Sequence, residues 1–480
     1  MTTKQLPDAA ERLAALKGRI LTALDYLGEP PAPWMARRAG VTHDVAIVGA
    51  GQAGLAIGFA LKREGVDNVV LLDARPVGRE GPWRELARME TLRSPKDLVG
   101  PEQGLADLTF RAWHEAVFGG AAYARLGRIP TGQWMDYLLW YRDVADLPIQ
   151  NDTTVTRIEP GDAGLLVHIE RGGATETLIA RKVVLATGMD GFGRPLIPRC
   201  VRDGLPRDRY AHCLEAVEFA ALKGRRVAVL GAASSAFDYA AEALEAGAAR
   251  VDLFCRGAAL ADRNRFKQIN YPGVNNHYVD LDDADKWRVM TALTSRAVGV
   301  IRPTLERCTR HDNFHVHVNA GWRAVAVVDG EIHIETPTKA HRADFVIVGT
   351  GFEMAPEARP ELAAFADKIA RWGDRYAPPP GEDSAVAAAF PYIDPDFRLV
   401  EKTAGAAPFL RDIHFFAWAG SVSNGRYSSE VSSLRYGVPR LVRALCRDLV
   451  RADADFHVAK IRALPAPEFE QDEYQSGPDS

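Results

Sequence analysis

Cysteine is scarce in this chain and never paired. Cys200, Cys213, Cys255, Cys308 and Cys446 lie scattered through 480 residues, and no two form C-x-x-C. That spacing excludes a disulfide frame and a dithiol redox pair, and it suits reduced thiols in a cytoplasm. Long apolar runs are missing as well. No stretch reaches the roughly 18 apolar residues a membrane span needs, and Asp8, Glu11 and Arg12 stand where a secretion signal would be apolar. An excess of one charge is also absent. The formal net charge is -4 with both signs interspersed, which excludes the basic footprint of a nucleic-acid binder. What remains is an ordinary globular composition in a chain too long for one core, so two or three domains are expected.

The organising stretch runs from Asp44 to Asp73, DVAIVGAGQAGLAIGFALKREGVDNVVLLD. A short apolar strand leads into Gly49-Ala50-Gly51-Gln52-Ala53-Gly54. An apolar helix, Gly65 and a second strand follow, ending in Asp73 and Ala74. This is a βαβ unit with G-x-G-x-x-G at its first turn. Gly49 allows the tight turn, Gly51 admits a pyrophosphate, and Gly54 lets helix and strand pack closely. The helix N-terminus faces phosphate charge, and Asp73 can accept hydrogen bonds from a ribose.

A second unit begins at Arg225–Leu230. Gly231-Ala232-Ala233-Ser234-Ser235-Ala236 forms its turn, a helix is expected from Phe237 to Ala246, and a strand from Arg250 to Cys255 ends at Arg256. Ala233 stands where the second glycine belongs. An acid after the second strand suits a free ribose hydroxyl, whereas Arg256 suits a 2′-phosphate and so favours NADPH. The acidic first unit suits FAD. Two such units in one chain let a nicotinamide pass hydride to a flavin. The fold expected is α/β, with two dinucleotide-binding Rossmann-like domains and the NADPH domain inserted in the FAD domain. Residues 44–195 and 340–465 are assigned to FAD and 196–339 to NADPH. Residues 1–43 read as a helical extension, a cover on the main domain or on a second subunit, and 466–480 as a loose acidic tail.

The rest of the chain supplies candidates around these turns. The Gly/Pro/Arg-rich loop after Asp73 carries Trp83, a cover for an aromatic ring or else a core anchor, and Arg93, Ser94 and Lys96, which can meet polar atoms. Aromatics crowd residues 109–148 and read mostly as core. Val155 lies on the first of several alternating stretches that suggest a small antiparallel sheet. Buried strands end in Ala186-Thr187-Gly188, in Gly349-Thr350-Gly351 and before Gly420, where backbone can approach a ligand. Ser428 is a plausible cap for a last helix whose N-terminus can stabilise a reduced flavin. His311, His315 and His317 invite a metal, and residues 315 and 317 share one strand face, but no cysteine or acid completes a ligand set with them nearby, so none is expected.

Taken together, the two fingerprints, the loop tryptophan, the Ala-Thr-Gly strand end and Gly349-Thr350-Gly351-Phe352 resemble the class B flavin monooxygenases. These are the flavin-containing monooxygenases, Baeyer–Villiger monooxygenases and N-hydroxylases. The resemblance covers about residues 44–450 and is strongest in the two nucleotide units. It implies tight FAD, reduction by NADPH and a peroxyflavin that oxygenates a small organic substrate with O2. It places Gly49, Gly51, Gly54, Asp73, Trp83, Thr187 and Gly188 at FAD, and Gly231, Ser234, Ser235 and Arg256 at NADPH. Two departures stand out. Leu92-Arg93-Ser94-Pro95-Lys96 lacks the family's Asn, leaving Arg93 or Ser94 as its substitute. Tyr210-Ala211-His212-Cys213 keeps only the His of the Baeyer–Villiger linker. A reductase serving a protein or quinone acceptor, or a flavin redox sensor, stands as the alternative. Oligomeric state is left open.

Overall fold

The computed structural model describes residues 4–294, 299–425, 430–463 and 465. The expected first unit forms as strand His43–Val48, helix Gln52–Arg63 and strand Val69–Leu72. Both strands are apolar and buried, as strands covered on both faces must be. The first strand pairs in parallel with Val69–Leu72 on one side and with Ala174–Leu185 on the other. Ile413–Phe415 then adds in parallel to the far side of Ala174–Leu185. The order of the strands therefore reverses beside Gly49, the arrangement that opens a ligand crevice at the carboxyl edge of a parallel sheet.

The alternating stretches form an antiparallel meander on the same sheet, Thr153–Pro160 with Leu165–Arg171 and then Ala174–Leu185. The sequence suggests separate strands at 176–179 and 182–186; the chain runs through both without a break. Its exposed first half faces the meander, and its buried second half enters the parallel layer.

The second unit is a five-stranded parallel sheet. Its spatial order is Phe314–His317, Arg250–Phe254, Arg226–Leu230, Phe345–Val348 and Tyr210–His212. Its helix runs Ser234–Glu245, beginning at the glycine turn rather than at Phe237. Beside it lies an antiparallel sheet of Ala324–Val328, Glu331–Glu335 and Ala340–Ala343, with the expected Asp329-Gly330 hairpin.

Two expected boundaries shift. The strand Phe345–Val348 pairs with Arg226–Leu230, so the chain does not return to the first unit at residue 340. It returns at Phe352–Met354, which pairs with the outgoing Gly193–Pro195. An apolar four-residue strand carries no mark of which sheet it will join. The segment 262–294 also departs from its assignment. Tyr278, Trp287, Met290 and Leu293 pack into the core of the first unit, Tyr278 Oη donates to Val422 O, and Trp287 Nε1 donates to Glu382 O. The helix expected over 284–300 is Asp283–Thr294, and residues 299–300 are not helical.

The N-terminal helix Ala9–Tyr26 covers the first unit. Leu16, Ile20 and Leu24 are buried against the aromatic cluster around Phe110, Trp113, Trp134 and Tyr137. That cluster is core, as its density suggests.

Candidate functional site

Both glycine turns sit at the reversal of strand order in their sheets. Gly49 has φ +103°, and a Cβ there would stand 2.5 Å from Ala186 O. A Cβ on Gly54 would stand 1.9 Å from Gly49 O, so the helix reaches its strand only with glycine at 54. A Cβ on Gly51, at the helix N-cap, would make only ordinary contact with the Gly81 backbone at 3.8 Å, so no clash within the chain requires glycine there. In the second unit Gly231 has φ +121° and lies against Gly349. Here the third position is Ala236. A Cβ on Gly349 would come 2.7 Å from Ala236 Cβ, so the missing methyl group has moved to the opposite strand. That exchange lets the imperfect fingerprint still close its turn.

Asp73 is buried and its carboxylate accepts the amides of Ala50 and Arg75 at 2.8 and 2.9 Å. Burial raises its pKa against the lowering effect of those bonds. The acid therefore braces the glycine turn, with lone pairs left for a ribose. Ala74 beside it is exposed, and Val155 is buried on the neighbouring strand. Thr153, two residues earlier, donates its amide to Asp73 O. Gln52 accepts from Trp134 Nε1 at 3.2 Å, and Ala53 is half-buried beside it. Trp83 stands edge-on to Trp134 with centroids 6.3 Å apart, between the turn and the aromatic cluster.

Several buried polar atoms in these crevices have no hydrogen-bond partner among the described residues. They are Trp83 Nε1, Thr187 Oγ1 and Ser421 Oγ in the first unit and Ser234 Oγ in the second. Leaving such an atom unpaired costs about 1–3 kcal/mol, and a polar ligand in the crevices would satisfy these four, although unpartnered buried atoms also occur elsewhere in the molecule. Gly188 lies beside the turn before Gly420, where Trp418 donates its amide to Gly188 O. Gly351 accepts from Leu196 and ties the two crossovers together. Ser235 is exposed on the first turn of its helix, and Arg256 is exposed just beyond Phe254. Ser428 lies outside the described residues; the last helix runs Val431–Ala452 with Glu430 at its N-cap.

Arg93 does not point to open space. Its guanidinium pairs with Asp238, which is buried on the second unit's helix and also accepts from Thr304 Oγ1. A residue expected to act in chemistry thus bridges the two nucleotide units. Ser94 is half-buried next to it, and its carbonyl accepts from Arg128. Sequence reasoning overlooked Asp238 and Ser421, and it read 260–300 as a pocket-forming irregular stretch without foreseeing that 262–294 packs on the first unit. That segment forms a cleft with the turn after Ile413–Phe415, walled by Phe266, Asn270, Asn275, Tyr278 and Ser433.

Two parallel sheets, each with a glycine turn at its reversal and joined by paired crossovers, define a flavin- and pyridine-nucleotide-dependent oxidoreductase. The model of the pyridine nucleotide-disulphide oxidoreductase family matches residues 46–290. The FAD-dependent urate hydroxylase of Xanthomonas campestris pv. campestris is 40% identical over 460 residues, 95% of this chain and 97% of that protein. Among solved structures, the ornithine N-hydroxylase of Kutzneria sp. 744 superposes with TM-score 0.65 at 19% identity, covering 85% of this chain and 99% of that one. L-lysine 6-monooxygenase from Pseudomonas syringae does so with TM-score 0.64 at 18% identity, covering 84% and 99%. The chain belongs to the pyridine nucleotide-disulphide oxidoreductase family, on its flavoprotein monooxygenase side. Its five cysteines are all free, so the disulphide chemistry in the family's name has no dithiol here.

Proposed function

We propose that the protein is an NADPH-dependent FAD monooxygenase that hydroxylates urate or a closely related oxopurine. The observation that carries the substrate is the 40% identity to the urate hydroxylase along nearly the whole of both chains. In this reading the first unit holds FAD through the amides of the 49–54 turn, Asp73, Thr187 and Gly188. The second unit holds NADPH through the 231–236 turn, with Ser234 donating to phosphate and Arg256 pairing with the 2′-phosphate. Bound FAD supplies two-electron transfer from the nicotinamide and activation of O2.

The residues of the chain do the rest by placement. The Arg93–Asp238 pair holds the flavin-side loop against the nicotinamide-side helix. In this reading the substrate enters at the narrow cleft beside Phe266 and Asn270, which must widen to admit it. A planar oxopurine has two faces for stacking and a rim of alternating N–H and C=O groups. Phe266 offers a ring, and the Asn270 and Asn275 amides offer both donors and acceptors. Their side chains already bond each other at 3.1 Å, a preformed polar edge.

The test is NADPH consumption by FAD-loaded protein under ¹⁸O₂, with and without urate. Urate-stimulated oxidation with one labelled oxygen in the product is expected. Unchanged NADPH consumption on adding urate, in protein that retains its flavin, would overturn the substrate. Hydroxylated product that carries no label, its new oxygen drawn from water, would overturn the monooxygenase reading.

A further inference from the structure

Away from both glycine turns, folding assembles a group of ligating side chains that are far apart in sequence. Asp252 lies on the strand Arg250–Phe254, His317 on the neighbouring Phe314–His317, and His341 on Ala340–Ala343 of the antiparallel sheet. The parallel pairing sets Asp252 opposite His315 and Phe254 opposite His317, so His317 and Asp252 lie diagonally on one face. One ligand atom from each of Asp252, His317 and His341 falls within 4.8 Å of the others.

We propose that Asp252, His317 and His341 form a binding site for Zn²⁺ or a similar divalent transition metal. The donor set is two imidazoles and one carboxylate, which suits such ions. The closest pair is His317 Nε2 and Asp252 Oδ1, 2.6 Å apart. His341 Nε2 is buried and has no hydrogen-bond partner among the described residues. The two imidazoles stand 4.5 Å apart between centroids, and Phe254 packs on both, stacked on His317 and edge-on to His341. Aromatic packing of this kind fixes ring orientation, which a loose surface histidine pair lacks.

Metal–ligand bonds of about 2.0–2.2 Å put tetrahedral ligands about 3.3–3.5 Å apart. The His317–Asp252 contact must open by somewhat under about 1 Å by that measure, and the proton on His317 Nε2 is released to solvent or passes to Nδ1. Arg250 donates to both oxygens of Asp252, at 2.6 and 2.9 Å. It stays as an outer partner that orients the carboxylate, and its charge weakens affinity relative to a site without it. The ion would staple the antiparallel sheet to the strand that leads to Arg256. Its role is structural, and it stands independently of the substrate reading.

The experiment is calorimetric titration of Zn²⁺ into chelator-treated, FAD-loaded protein, with Co²⁺ absorption as a report of ligand geometry. One equivalent per chain is expected, with a rise in melting temperature. Affinity should fall at least about tenfold in His341→Gln and in Asp252→Asn, and hold in His333→Gln. Flavin absorbance and melting curves verify that each variant folds. If a variant fails to fold, the wild-type Co²⁺ spectrum decides. A tetrahedral spectrum supports the site, and an octahedral aquo spectrum overturns it. Absence of saturable binding, or binding unchanged in a folded His341→Gln, also overturns it.

Discussion

At the scale of single residues, Gly54 and Arg256 test the two proposed cofactor sites separately. Gly54→Ala would drive a methyl group into Gly49 O. The helix must back away from its strand, at about 1–3 kcal/mol for overpacking of this kind. The purified variant is expected to lose most of its flavin, read as the ratio of flavin to protein absorbance. Full retention would mean that the turn does not hold FAD. Arg256 sits exposed at the end of its strand, with no ion pair among the described residues. A charge-assisted hydrogen bond is worth about 1.5–3 kcal/mol. Arg256→Ala should therefore raise KM for NADPH roughly 10–100-fold and leave KM for NADH nearly unchanged. An equal effect on both would move the 2′-phosphate contact elsewhere. The same scale shows what a motif conceals. Ala236, at the third position of the second fingerprint, is accommodated because Gly349 stands across from it.

At the scale of elements, a buried ion cluster closes the first unit. Arg181, on the long strand, donates to Asp44 at 2.9 Å and to both oxygens of Asp453 at 2.9 Å. Arg38 reaches Asp453 from the N-terminal segment. One carboxylate beyond the end of the last long helix thus joins that helix to the first strand and to the meander. Burial alone would raise the Asp453 pKa, but the bonds from Arg181 and Arg38 outweigh it and hold the pKa below the ordinary carboxylate value. A depressed folded-state pKa contributes stability that is present above the unfolded value, about 3.9, and is lost as pH falls through the folded value. Urea midpoints are therefore expected to drop below about pH 4, and more gently in Asp453→Asn than in the wild type. Asp453→Ala leaves the buried Arg181 with Asp44 as its remaining partner and should cost about 1.5–3 kcal/mol at neutral pH. A neutral-pH midpoint unchanged in that variant would show the cluster to be incidental.

At the scale of the whole molecule, three separate pieces of chain meet on the first unit: the N-terminal helix, the returning segment after Phe352–Met354 and the excursion 262–294. Removing residues 1–27 would uncover the aromatic cluster that Leu16, Ile20 and Leu24 now seal. Such a truncation should bind a hydrophobic dye and aggregate, with FAD binding lost only secondarily. A monodisperse truncated protein with an unchanged melting temperature would show the helix to be dispensable. The excursion bears on the proposed substrate site. It carries part of a segment read as nucleotide domain onto the flavin-side core, and the candidate substrate cleft lies at that junction.

Local patterns determined a great deal here. Period-two and period-3.6 apolar runs, punctuated by glycine, specified both βαβ units, the meander, the Asp329-Gly330 hairpin and the N-terminal helix. Each of those depends on contacts between neighbours in sequence or on burial of one face. The positions of Asp73 and Arg256 just beyond their strands were legible for the same reason. Only tertiary structure decided which sheet Phe345–Val348 would join, where 262–294 would pack, that Arg93 would bridge to Asp238, and that Asp252, His317 and His341 would meet. Those outcomes rest on strand order and side-chain contact between segments separated by many residues, and no local periodicity encodes such pairings.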